Sequence, residues 1–296
     1  MICVKWPRGG DLYDRRSGTG RIPMEIRSIL VNLDLFVSSS AIVKCAADLA
    51  TRYKAELVGF AAAEPPTELM AAEGAVVTSA RFQEERERIE QALGNAESTF
   101  RSLVPSGIKT TWRSLIANPT PKLIETARCS DLILVSAAAV ANRNPSTRLD
   151  VGELILAAGR PVLVVADGAP RIAADKIVVA WKDTREARRA VADALPFLAR
   201  ASDVLVVAVD EGDYGAERPS LTDVVAWLTA HEVKVRGDIL PMAGTTGATI
   251  KTAAASMGAD LVVSGGYGHT RLREWLLGGV TEDLLQDQTI NRLFSN

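Results

Sequence analysis

One pattern of short apolar runs and amphipathic stretches occurs twice in this chain, and that repetition limits the available architectures more than any single motif does. Ile26-Arg-Ser-Ile-Leu-Val-Asn-Leu-Asp34 is echoed by Lys176-Ile-Val-Val-Ala-Trp-Lys182. Each is followed by a helical pattern, at 40–53 and 185–200, and then by a second apolar run, at 55–61 and 203–209. The middle of the unit varies: a long charged helix over about 78–103 in the first copy, a shorter one over about 221–231 in the second. Strands are predicted at 108–115 and 233–240, and helices at 120–128 and 245–257, with Pro121 suited to a first helical turn. Ser130-Asp-Leu-Ile-Leu-Val-Ser136 then matches Ala259-Asp-Leu-Val-Val-Ser264. The copies close with a helix and a strand, 151–158 and 161–166 against 280–286 and 289–295.

The unit is therefore β-α-β-α-β-α-β-α-β. Strands alternating with helices imply a parallel sheet covered on both faces, and right-handed crossovers make it doubly wound. The expected fold class is α/β, with two doubly wound parallel-sheet domains in tandem over 25–168 and 175–296. The turn-rich stretch Asp167-Gly-Ala-Pro-Arg-Ile-Ala-Ala-Asp175 joins them. Copies joined this closely are expected to pack as an intramolecular pseudo-dimer, with a homodimer of the whole chain as a further assembly. The polar closing strand, 289–296, reads as an exposed sheet edge available for pairing. Residues 1–24 carry no periodic pattern and are expected to form a disordered extension; Met24, just before the first strand, makes a mis-assigned start a working hypothesis.

Bulk properties exclude several functions. Thirty-four basic and 36 acidic residues leave a net charge of −2, with no basic excess for nucleic acid. Cys3, Cys45 and Cys129 are too scattered for a disulfide framework or a metal site, which points to a cytoplasmic setting. No apolar run approaches the roughly 18 residues of a membrane span. His231 and His269 stand apart from any nucleophile motif, and no Walker lysine follows the glycines near the C-terminus, so the chain reads as a binding module without a catalytic residue.

Those glycines are the main chemical signal. Leu261-Val-Val-Ser264 breaks into Gly265, Gly266 and Gly268, and a helical pattern after them is interrupted by Gly278-Gly279. A strand end, a tight loop and a helix start leave backbone amides able to face an anion, and glycine lets a phosphate approach the main chain. The plain alternative is a set of turn residues at a strand end; the second glycine pair tips the reading toward phosphate. His269 and Arg271 flank the loop as phosphate contacts or solvated side chains, and Tyr267 covers a ligand or fills the core. Trp275 with Leu272, Leu276 and Leu277 reads as core, Trp181 as core or cleft wall, and the charged run 81–90 as a solvated helix face.

The run Gly265-Gly-Tyr-Gly268, nine residues, then Gly278-Gly-Val-Thr281 resembles the nucleotide-loop signature of the universal stress protein family. The opening Ile177-Val-Val-Ala-Trp-Lys-Asp-Thr-Arg-Glu-Ala187 resembles that family's first strand and helix start. The likeness covers about 25–296, as a tandem two-domain bacterial member. It implies flavodoxin-like (adenine nucleotide alpha hydrolase-like) domains and a stress-response sensor binding ATP or another adenine nucleotide, with Mg2+ as a potential companion ion. Carried over singly, Gly265, Gly268, Gly278, Val280 and Thr281 match the phosphate loop, and Val209 the strand-two contact; Gly279 stands in place of a Ser or Thr, and His269 flanks the loop. Lys182 stands where the resemblance implies an Asp that meets the base, and a lysine cannot accept a bond from an amine. The first copy keeps Asp34 at that position, but its loop over 135–146 has no glycine, so copy one is expected not to bind nucleotide. The alternative function is a scaffold without nucleotide, acting through protein contacts.

Overall fold

The computed structural model describes residues 25–66, 75–212, 215–266 and 279–296, with side chains of 75–80 left aside. The N-terminal expectation, 1–24, lies outside them. In the first half, β1 (Ser28–Asn32), α1 (Ser40–Tyr53), β2 (Glu56–Ala63), α2 (Ala75–Leu103), β3 (Thr110–Ile116), α3 (Pro119–Thr126), β4 (Leu132–Ser136), α4 (Ala137–Ala141), α5 (Val151–Ala157) and β5 (Val162–Val165) follow in order. The second half gives β6 (Lys176–Trp181), α6 (Arg185–Leu198), β7 (Asp203–Asp210), α7 (Arg218–Ala230), β8 (Val235–Pro241), α8 (Thr246–Met257), β9 (Leu261–Gly265), α9 (Gly279–Leu285) and β10 (Asn291–Ser295).

The ten strands of the described residues form one sheet, in the order β3-β2-β1-β4-β5-β10-β9-β6-β7-β8. Every pairing is parallel except β5 with β10, where Leu163 faces Leu293 and Val162 faces Phe294. Winding reverses between β1 and β4, and again between β6 and β9. The strands are apolar throughout their buried length because both faces are covered. One face packs on α1, α2, α6 and α7 through Ile42, Ile89, Ala187 and Leu221. The other packs on α3, α5, α8 and α9 through Leu123, Leu154, Ile250 and Leu284.

The repeat extends to single hydrogen bonds. Asp131, entering β4, accepts from the amides of Arg27 and Ser28 at 2.8 and 3.0 Å. Asp260, entering β9, accepts from the amide of Asp175 at 3.0 and 3.1 Å. Each carboxylate fixes the start of the neighbouring central strand. Burial holds the Asp260 carboxyl above the usual aspartate range, against the opposing pull of those amides.

The joining stretch is tied to the first half. Arg52 donates to the carbonyls of Ile172 and Ala173 at 2.7 and 3.1 Å, the Cys45 thiol donates to that of Ala169 at 3.4 Å, and Ile172 is fully buried. Tyr53 of α1 meets Phe197 of α6 edge-on, with ring centroids 5.7 Å apart. The charged face of α2 carries the pairs Arg86–Glu90 and Arg101–Glu97, as its spacing predicts.

One expectation is corrected. The closing strand is no edge: β10 lies inside the sheet between β9 and β5, and the edges are β3 and β8. Asn291 and one nitrogen of Arg292 find partners within the fold. Asn291 accepts from the amide of Ala166 at 3.0 Å and donates to the carbonyl of Asp260 at 2.9 Å. Arg292, with no exposed surface, donates to the carbonyls of Leu284 and Leu285 at the end of α9 at 3.0 and 3.3 Å. Among the described residues no helix is long and apolar enough to cross a membrane.

Candidate functional site

The C-terminal ends of β6, β7 and β9 surround a cleft of about 350 Å³, closed on one side by the start of α9. It sits where the winding of the second half reverses, the place at which open α/β sheets present a crevice. Of the residues named from sequence, Val209, Gly265, Gly279, Val280 and Thr281 line it together. Gly268, Gly278 and His269 lie outside the described residues, as do Tyr267, Arg271 and Trp275.

The two adjoining glycines have reasons internal to the protein. A Cβ on Gly265 would lie 2.7 Å from the Ala187 nitrogen and 2.8 Å from the Glu186 carbonyl carbon, so β9 can end there only because α6 starts against a bare backbone. A Cβ on Gly266 would lie 2.3 Å from Ile155 Cγ2, contributed by α5 of the first half. The Gly266 amide is spent on the Ser295 carbonyl at 2.7 Å, and its carbonyl accepts from Asn296 Nδ2 at 2.6 Å. The plain turn-and-packing reading thus accounts for Gly265 and Gly266, while Gly265 still borders the cleft. Gly279 differs: among the described residues nothing lies within 4 Å of the position of its missing Cβ.

The floor is apolar, made by Ala180, Val207, Val209 and Ile250, with Trp181 as a wall whose Nε1 donates to Ser220 at 3.2 Å. The rim is polar. Thr184 caps α6 by accepting from the Ala187 amide at 3.2 Å, and Thr245 caps α8 by accepting from that of Ala248 at 3.0 Å. Thr245 also donates to Asp283 at 2.7 Å. A Cβ on Gly247 would lie 2.5 Å from Asp283 Cβ, so α8 and α9 meet closely and the start of α9 is held in place.

Lys182, at the end of β6, donates to Glu211 Oε2 at 2.9 Å, and Thr246 donates to Glu211 Oε1 at 3.1 Å. The lysine hydrogen bond, opposed by partial burial, holds the Glu211 carboxyl below the usual glutamate range. In a Lys182→Met protein that carboxyl is expected to titrate higher, toward the ordinary value. Carboxyl carbon-13 shifts followed against pH check this; an unmoved Glu211 would show that the lysine does not set its ionisation.

Glu186, Glu211 and Glu217 line the cleft against one lysine, whose charge Glu211 already matches. The described residues therefore fit the base-and-sugar end of a nucleotide, an apolar body with donors and acceptors around it. They do not supply the surplus positive charge that a polyphosphate needs. Among the described residues no group of three or more His, Cys, Asp or Glu side chains is placed to hold a metal ion. Sequence reasoning missed Glu186, Thr246 and Ile250. The signal for Glu186 was present: it lies four residues before Ala190 on the buried stripe of α6, where an acid is out of pattern.

At the equivalent corner of the first half, polar groups pair with one another. α4 follows β4 directly, with Ser136 accepting from the Ala139 amide at 3.2 Å. Asn142 donates to Asp34 Oδ2 at 2.6 Å and to Thr147 Oγ1 at 2.9 Å, and accepts from the Asn144 amide at 2.8 Å. Asp34 Oδ1 accepts from the Phe36 amide at 3.0 Å. Both Asp34 oxygens are thus engaged within the protein.

No protein-family model and no curated protein matches the chain. Solved structures do. A universal stress protein from Archaeoglobus fulgidus DSM 4304 aligns with a TM-score of 0.68 at 15% identity, over 92% of this chain and 97% of that one. A functionally unknown protein from Pseudomonas aeruginosa PAO1 aligns with a TM-score of 0.58 at 17% identity, over 91% and 92%. The chain has the fold of a universal stress protein structure along nearly its whole length.

Proposed function

We propose that this chain is a tandem universal stress protein of the cytoplasm, with domains over 25–168 and 175–296. The second domain binds an adenine nucleotide, ATP foremost, as a sensor without catalytic turnover. The first domain is its structural partner. The observation that carries this reading is the meeting of Val209, Gly265, Gly279, Val280 and Thr281 around one cleft at the switch point of the second half. An apolar floor with a polar rim suits a purine and its sugar. The first half supports a pairing role, because Asn142 and the Phe36 amide engage the Asp34 carboxylate and Ser136 engages the Ala139 amide after β4.

Isothermal titration of the full chain with ATP, with and without Mg2+, tests the proposal. Saturable heat with a Kd below about 1 mM is expected, or roughly 4 kcal/mol of binding free energy. The Asp34→Ala variant is expected to give the same curve. Absence of heat from the native chain at millimolar ATP in both buffers would remove the nucleotide reading and leave the scaffold alternative.

A further inference from the structure

Glu186 lines the same cleft and has a side chain that the packing of α6 does not explain. It is 5% exposed, in the first turn of the helix. Oε1 accepts from Arg185 Nε at 3.2 Å, whereas Oε2 is buried with no hydrogen-bond partner among the described residues. A carboxylate oxygen withdrawn from water without a donor destabilises the fold. The first half shows that the position needs no acid. Aligning the buried stripes of α1 and α6 places Ile42 opposite Glu186, and Ile42 is buried by apolar contact alone. Of the other carboxylates lining the cleft, Glu211 holds a donor on each oxygen and Glu217 is only half-buried, while Lys182 can only donate.

We propose that Glu186 is the specificity-determining acceptor of this cleft, receiving a hydrogen bond from a donor on the nucleoside part of the ligand. That donor is the exocyclic amine of the base or a sugar hydroxyl. The assignment rests on the nucleotide reading above. It places a negative acceptor where a bare anion is unwelcome, so the cleft selects ligands by their uncharged end.

The test uses the full chain, native and as Glu186→Met and Glu186→Gln, titrated with ATP, inosine triphosphate, 2′-deoxyATP and 3′-deoxyATP. The native protein is expected to bind the analogue lacking the recognised donor about tenfold more weakly than ATP, the value of one hydrogen bond to a charged group. Inosine triphosphate identifies the amine and the deoxy analogues the hydroxyls. Glu186→Met is expected to bind ATP about tenfold more weakly and to treat the analogues alike. Glu186→Gln, which keeps an acceptor oxygen, is expected to retain the preference with a smaller loss. The ligand-free melting temperature of Glu186→Met is expected to rise by about 2–4 °C as the stranded oxygen is removed. A native protein that binds ATP and all three analogues equally would overturn the assignment and leave the nucleotide reading intact. So would a Glu186→Met protein with unchanged affinity and preference. A native protein silent to ATP would remove both.

Discussion

Gly265→Ala is expected to lower stability by about 2–4 kcal/mol and to abolish ligand binding in the cleft, because the added methyl meets main chain rather than a side chain that can turn aside. The nearest atoms are the Ala187 nitrogen and the Glu186 carbonyl carbon, at 2.7 and 2.8 Å. Relief requires α6 to move off the end of β9 or β9 to bend away. Either shift displaces Thr184 and Glu186 relative to Val280 and Thr281 across the cleft. Chemical denaturation measures the first effect and titration calorimetry the second. Gly279→Ala is the control, since a Cβ there meets no described residue within 4 Å. It is expected to leave stability within about 0.5 kcal/mol of native, the range of substitutions away from packed features. If Gly265→Ala is as stable as Gly279→Ala, the close packing of α6 on β9 is not what requires a glycine.

Arg292→Ala is expected to cost about 3–5 kcal/mol, while Arg292→Met stays within about 1.5 kcal/mol of native. Arg292 is the largest fully buried side chain of the described protein. Its Nη1 closes the end of α9, but Nε and Nη2 have no partner among the described residues. Truncation opens a cavity and strips the Leu285 carbonyl of its donor; methionine refills the volume without the charge. Burial lowers the guanidinium to about 10, against the raising influence of Asp287 and Asp167. For a base, a folded-state value below the unfolded one means that the unfolded chain holds the proton more readily. The penalty is complete below about pH 10 and fades as the pH rises above it. The stability difference between Arg292→Met and native should therefore shift in favour of native above pH 10, as read from paired denaturation curves. A difference independent of pH would show that the buried cation is not under strain from desolvation.

The element order was legible because it is written twice. Each apolar run and each amphipathic stretch in one copy checks its counterpart, and the strand-entry aspartates, Asp131 and Asp260, recur with the same task. What periodicity does not carry is the identity of tertiary partners. Asn291 and Arg292 made β10 resemble a solvated edge, because the groups they bond, the Ala166 amide and the carbonyls of α9, come from elsewhere in the chain. Gly265 and Gly266 were visible as glycines, but the helix start and the isoleucine that exclude a side chain there were not. Glu186 drew no reading of its own, because an acid in the first turn of a helix is routine. Val209, Gly279, Val280 and Thr281 came from the family resemblance, and they meet because strand ends converge at the switch point of a doubly wound sheet.

The antiparallel junction of β5 with β10 sets the two halves head to tail within one sheet. Their strand ends therefore open on opposite rims of the molecule. Asp34 and Asn142 face away from the second half's crevice and have no route to lend it a side chain. The first half reaches that rim instead by its reverse end, where Ile155 rests on Gly266. That contact ties α5 of the first half to the residue that follows β9, one step from the glycine bordering the crevice.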